Sequence, residues 1–406
     1  METALPSDIS ASYPADANSS SAKSRPRVLY LDGLRAVAAL YVLIHHCLYQ
    51  YSNANIYLGI ERVLAGVFCF GHYGVCIFIV LSGFCLIMPT LHRDFVLHGG
   101  LTAFFTKRAR RLLPPYYCSL ILTIVLIATV IGHRTGMRWD VCLPLTAKSI
   151  VTHILLIHNL FGDMFYRLNY VYWSLAVEWQ IYPLFPVLLL GWRRIGPGKT
   201  LGILATLVTV VFVATRHSSL QGLMPQFWLL FGLGMLAASI AYGSGDRWLN
   251  LRAKAPWGAL ALISTALLIL ISVVKIKHGF GAQATDFDFI VGAWAFSLLV
   301  YISLAQDHPL RIALQWRPLV FVGEFSYSLY LLHAPLIQIL LLYVLKPLGL
   351  SQTTNGWLLT ILALLICLPL SYLFFLAFER PFITKKTLGR TRPATEGHPD
   401  RAESAG

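Results

Sequence analysis

The chain has 406 residues, of which 57% are apolar and only 12% charged, with a mean hydropathy of +0.66. An ordinary soluble domain carries about 25% charged residues, so most of this chain must face lipid or other buried helices. That excludes a cytosolic enzyme, a secreted disulfide scaffold, a disordered hub and a single-span receptor with a large soluble head. The net charge of +14 would suggest nucleic acid in a soluble protein. Here the basic residues lie between apolar runs, so they read as membrane-orienting charges and no nucleic-acid partner is expected.

Residues 1–27 are rich in Ser, Ala and Pro and lack an apolar signal core, so a disordered cytoplasmic tail is predicted there. Residues 388–406 read the same way, leaving 28–387 as one membrane domain. Apolar runs long enough to span occur at about 32–50, 67–91, 112–132, 173–192, 200–215, 225–242, 256–275, 289–305, 319–345 and 357–378. A further run, 149–161, has 13 residues and suits an interfacial or re-entrant piece better than a crossing. With ten spans and the N-terminus inside, the inner segments hold 22 Lys and Arg against 9 outside. The expectation is therefore an all-α integral membrane protein with about ten transmembrane helices, eleven if 149–161 crosses, and no soluble domain. Both termini are expected in the cytoplasm, with the chain in the inner or plasma membrane if bacterial. The loop 133–172 is then the one large external feature.

Ionisable groups inside spans are costly, so each is a candidate for function as well as for tying helices together. In the first run, Arg35 and His46 are 11 residues apart, about 20° from one helical face and about 16 Å along the axis. A cation thus stands near the cytoplasmic edge and an imidazole near mid-bilayer, where it is suited to take a proton from a hydroxyl. His45 points elsewhere. In the second run the small residues around Ser82 and Gly83 permit close helix approach.

The third run begins with Lys107, Arg108, Arg110 and Arg111, which either anchor the helix or clamp phosphate. Arg108 and Arg111 share a helical face, as paired guanidinium forks on phosphate would. Ser174, Glu178 and Tyr182 follow at i, i+4, i+8. Glu178 needs a partner inside the membrane, and a Glu–His pair orienting an imidazole is one answer, an arginine another. Ser326, Tyr330 and His333 form another stripe, for core hydrogen bonding or substrate contact. Glu379 and Arg380 close the last span as a capping ion pair. Seven cysteines make no CxxC pair, no HExxH occurs, and no metal site is expected.

In chain order the stretches LDGLRAVAALYVLIHH, FIVLSGF, RARRLLPPYY, YWSLAVEWQIYPLFP, RPLVFVGEFSYSLYLLHAP and FERPF resemble the acyltransferase-3 family of integral membrane glycan O-acyltransferases. They cover residues 31–382. The resemblance implies a ten-span core that takes an acyl group, usually acetyl, from cytoplasmic acyl-CoA to a hydroxyl of a glycan or glycolipid. It assigns essential roles to Arg35 and His46, carries the Trp-Ser-Leu…Glu motif to Glu178, and puts Arg108 and Arg111 near the CoA phosphates. Ser326, Tyr330 and His333 are expected to touch substrate. Acetyl-CoA is then a co-substrate with no bound cofactor. No esterase-like domain is expected after the last span, so a two-stage transfer would depend on separate glycan-assembly proteins. The rival class is a secondary transporter of a small anionic solute, which should show inverted halves with matching broken helices; none is visible.

Overall fold

The computed structural model describes residues 28–50, 57–278 and 287–383, excluding the side chains of 277 and 278. The predicted tails 1–27 and 388–406 lie outside the described residues. The helices, in chain order, are α1 (Leu29–Leu48), α2 (Gly59–Val67), α3 (His72–Ile87), α4 (Gly100–Thr129), α5 (Ala147–Ile154), α6 (Trp173–Ile181), α7 (Leu184–Arg194) and α8 (Pro197–Thr215). After them come α9 (Gln226–Tyr242), α10 (Asp246–Lys254), α11 (Trp257–His278), α12 (Asp288–Leu304), α13 (Pro309–Leu314), α14 (Arg317–Glu324), α15 (Ser326–Ile339) and α16 (Gln352–Phe374). Among the described residues there is no strand. A membrane explains that preference, because a helix satisfies its backbone internally where no water can.

Nine helical stretches are long and apolar enough to cross a bilayer, and α12, with 17 residues, is a shorter tenth. All ten overlap the runs read from the sequence, although the third begins at Gly100, well before the predicted 112, because the helix continues through the basic stretch. The 149–161 segment folds as α5, of 8 residues, and a single 3₁₀ turn at His158–Leu160. Neither reaches the length of about 20 residues that a crossing needs, so the eleventh crossing is not formed.

Two spans are broken helices. The second bends between α2 and α3, where Gly71 lies against α1: a Cβ there would sit 2.4 Å from the His45 ring. The fourth breaks between α6 and α7 at Pro183, which has no N–H to continue the ladder. The most extensive helix pairing joins α3 to α9. A Cβ on Gly83 would stand 2.0 Å from the Phe231 carbonyl oxygen, and one on Gly234 would stand 1.9 Å from that of Val80. The small residues flagged at 82–83 therefore bring backbones together, as van der Waals packing in lipid requires.

Successive spans alternate in direction. The N-terminal ends of α1, α4 and α15 and the C-terminal end of α3 thus share one end of the bundle, which we call the basic end. The C-terminal end of α8, the N-terminal end of α9 and the 133–172 segment share the opposite end. Glu379, expected to cap the last span with Arg380, instead turns inward. It is 2% exposed and accepts a hydrogen bond from the Ser328 hydroxyl of α15. A hydroxyl partner inside the bundle replaces a surface ion pair.

Candidate functional site

A cavity at the basic end gathers most of the candidates singled out in the sequence. Arg35, Arg108, Arg111, Glu178, Ser326 and Tyr330 all line it, with Ser82, Cys85, Ser174 and Tyr182 between them. Five separate helices deliver these residues, so the convergence is a property of the packing. Arg35 donates from Nη1 to Asp32 Oδ1 at 2.7 Å and from Nη2 to Cys85 Sγ at 3.0 Å. Its charge is held one turn from the helix start by a carboxylate on its own helix. The Nε of Arg108 is buried and has no partner among the described residues. A buried donor left unmade costs about 1–3 kcal/mol, so this wall is poised for an acceptor.

Glu178 accepts from Ser82 Oγ at 3.0 Å and from Tyr182 OH at 2.8 Å, both at Oε1. The anticipated Glu178–His46 pair is not made. Glu178 lies at the level of the arginines, whereas His46 stands near the other end of α1, about 16 Å along its axis from Arg35. Ser326 lines the cavity, but its hydroxyl is engaged by the Gly323 carbonyl at 3.0 Å. Tyr330 bonds Ser174 Oγ at 2.7 Å and so joins α15 to α6.

His46 is buried behind this cavity and finds its partner on α15. Its Nδ1 lies 2.9 Å from His333 Nε2, while His333 Nδ1 lies 3.1 Å from the Leu329 carbonyl oxygen. A carbonyl only accepts, so His333 Nδ1 carries the proton and its Nε2 offers a lone pair. His46 must then donate from Nδ1, and its Nε2 is left with a free lone pair. No partner to that nitrogen is present among the described residues. Tyr330 links the cavity to the pair, its ring centroid 5.7 Å from that of His333. His45 faces away, as predicted, with Nδ1 2.8 Å from the Phe68 carbonyl.

Sequence reading missed Cys85 and Tyr327 in the cavity wall. Cys85 follows Ser82 by three residues, which places both on one face, so the signal was there to find. It also missed a second constellation, His72, Cys76 and Asp288, whose N, S and O atoms all lie within 4.8 Å of one another. Those three residue types are able to ligate a soft or borderline divalent metal. Asp288 starts α12 immediately before the apolar run as the sequence bounds it.

Residues 28–376 match the family model described as an acyltransferase domain. The chain belongs to the acyltransferase-3 family. It is 26% identical to the peptidoglycan O-acetyltransferase OatA of Listeria monocytogenes, over 78% of this chain and 50% of that protein. It is 27% identical to the O-acetyltransferase OatA of Staphylococcus aureus, over 76% of this chain and 50% of that one. The acyltransferase MdmB of Streptomyces mycarofaciens is 26% identical, over 93% of this chain and 97% of its own length. The chain thus spans about half the length of the two OatA proteins and nearly all of MdmB. No solved structure matches it. Family membership does not favour the transporter reading.

Proposed function

We propose that this protein moves an acyl group, most simply acetyl, from acyl-CoA to a hydroxyl of a carbohydrate acceptor. The observation that carries the reading is the convergence of Arg35, Arg108 and Arg111 on one cavity, backed by an imidazole whose Nε2 is free to accept a proton. The CoA phosphates bind the guanidinium groups at the basic end, taken as the cytoplasmic face because Lys and Arg concentrate there. The narrow interior admits the slender pantetheine arm, which carries the thioester towards Tyr330 and His46. The peptidoglycan acceptor named for the Listeria OatA relative supports a sugar hydroxyl as the nucleophile.

In the transfer, His46 Nε2 takes the hydroxyl proton as the oxygen attacks the thioester carbonyl carbon. The C–S bond breaks, the CoA sulfur takes the proton from the imidazolium, and ester and CoA leave. His333 keeps the lone pair on the correct nitrogen throughout. An acyl group lodged on His46 before the acceptor arrives is the two-step form of the same chemistry.

The deciding experiment measures acetyl-CoA binding and slow thioester hydrolysis by the purified full chain, with Arg111→Ala and His46→Ala alongside. Saturable binding weakened by Arg111→Ala, with hydrolysis lost in His46→Ala, is the expected result. Absence of acetyl-CoA binding at millimolar concentration, or normal turnover by His46→Ala, would overturn it.

A further inference from the structure

The opposite end of the bundle holds a second cavity, of about 520 Å³. Its floor is formed by His72 and Gln226, its walls by Asn159 and Phe165, and its rim by Tyr166 and Gln221. The floor is built around Asp288, which is fully buried and accepts three hydrogen bonds. His72 Nε2 is 2.7 Å from Oδ1, Gln226 Nε2 is 3.0 Å from Oδ2, and Cys76 Sγ is 3.4 Å from Oδ1. Because the carboxylate accepts from all three, the neutral His72 ring carries its proton on Nε2, and its Nδ1, which then holds the lone pair, has no partner among the described residues. The imidazole is also clamped flat, stacked on Trp173 at 5.5 Å and on Phe227 at 5.6 Å. Gln226 is 2% exposed, and its Oε1 is buried with no partner among the described residues. An unused imidazole nitrogen and an unused amide oxygen thus stand beside the same roomy cavity.

Sugars meet such a surface well. A sugar ring offers hydroxyls that donate to lone pairs and C–H faces that lie on aromatic rings. The lining residues include no carboxylate, and a single arginine, Arg216, stands at the exposed rim. A mostly neutral, amide- and aromatic-lined cavity of this size is the ordinary form of a small-molecule site.

We propose that this cavity binds the carbohydrate acceptor, with His72, held by Asp288, accepting a hydrogen bond from a sugar hydroxyl. The role as acceptor site rests on the acyl-transfer reading, while the binding is measured apart from it. His72 is a positioning group for the bound sugar; the proton removed during transfer goes to His46.

The test uses the full chain in detergent and two probes, chitotetraose and maltotetraose, with saturation-transfer NMR as the readout. Acetyl-CoA binding is measured on the same samples. His72→Phe keeps the ring stacked and removes its nitrogens, and Gln221→Trp fills the rim without touching the bonds to Asp288. Binding of either oligosaccharide, weakened about tenfold in both variants with acetyl-CoA binding unchanged, is the expected result; tenfold is the loss of one good hydrogen bond. Should His72→Phe fail to fold, Gln221→Trp alone decides. The proposal is overturned if neither oligosaccharide binds at millimolar concentration, or if the variants bind as the wild type does. It is also overturned if stoichiometric zinc accompanies the purified protein and is lost in Cys76→Ser, since metal would replace the hydrogen bonds that orient His72. Oligosaccharide binding without acetyl-CoA binding upholds this site and sinks the donor assignment.

Discussion

The two cavities sit at opposite ends of one bundle and both draw residues from α3, yet their chemistry differs throughout. At the basic end three guanidinium groups face a narrow space of about 120 Å³, with Glu178 as the lone carboxylate of the wall. At the other end a space of about 520 Å³ is lined by amides, aromatic rings and an imidazole, and its carboxylate, Asp288, is buried beneath the floor. A narrow cationic passage suits a long, thin, anionic ligand, and a wide neutral one suits a polyhydroxylated ring. Two imidazoles each have one nitrogen fixed by a partner and the other left free, His46 by His333 between the two cavities and His72 by Asp288 at the second. The lesson is that a buried partner selects the tautomer, and the residue behind a base matters as much as the base.

The largest effect that would sharpen this division comes from His46. His46→Ala is expected to lower acyl transfer by about 10²–10⁴-fold while both ligands still bind, as measured by radiolabel transfer from acetyl-CoA. Binding lost at either cavity would mean that His46 holds the fold together. Salt offers the next test. Arg111→Ala is expected to weaken acetyl-CoA binding by about 10–100-fold, the worth of one charged hydrogen bond. In the wild type, raising ionic strength should weaken acetyl-CoA binding and leave oligosaccharide binding level. Equal salt sensitivity at both ends would break the contrast.

A substitution that displaces α3, the helix common to both linings, should strike both cavities together. Gly83→Ala forces a Cβ onto the Phe231 carbonyl, and overpacking of this kind costs about 1–3 kcal/mol. A lower unfolding temperature together with weakened binding at both ends is the expected outcome. His333→Phe is expected to slow transfer about tenfold with acetyl-CoA binding intact, because His46 loses the acceptor that fixes its tautomer. The discriminating readout is the pH–rate profile, whose ascending limb moves if His333 acts through His46 and stays if its role is packing alone.

The smallest effect concerns the 133–172 segment. Burial pushes His153 down to about 4, and His158 also lies well below its ordinary value through burial and the neighbouring His153. Their rings stack at 3.7 Å. Between the ordinary histidine value of about 6.5 and about 4, the unfolded segment binds more protons than the folded one. Its stability is therefore full above that window and falls as pH drops through it. Hydrogen-exchange protection factors at residues 147–160, which remove the pH dependence of intrinsic exchange, should fall on acidification; a flat response would show that these imidazoles stay solvated.

Much of the molecule was legible in its sequence. All ten spans could be located, because a bilayer demands long apolar runs and tolerates little else. Arg35, Arg108, Arg111 and Glu178 stood out because a charge inside an apolar run needs a reason. The second cavity stayed hidden for the converse cause. His72 sits beside a helix break and Asp288 at a span's first residue, where polar groups attract no notice.

Sequence alone therefore determined the approximate positions of the spans, the excess of basic charge at one end, and the helices that carry ionisable groups. These follow from local rules of hydropathy and helical periodicity. Only the tertiary structure decided partners: that Glu178 serves Ser82 and Tyr182 and does not reach His46, that His46 faces His333 across 287 residues, and that Asp288 orients His72. Periodicity fixes which side of a helix a residue occupies. Which helix faces that side depends on where glycines such as Gly83 and Gly234 let backbones touch, and that close approach is a property of the packed bundle.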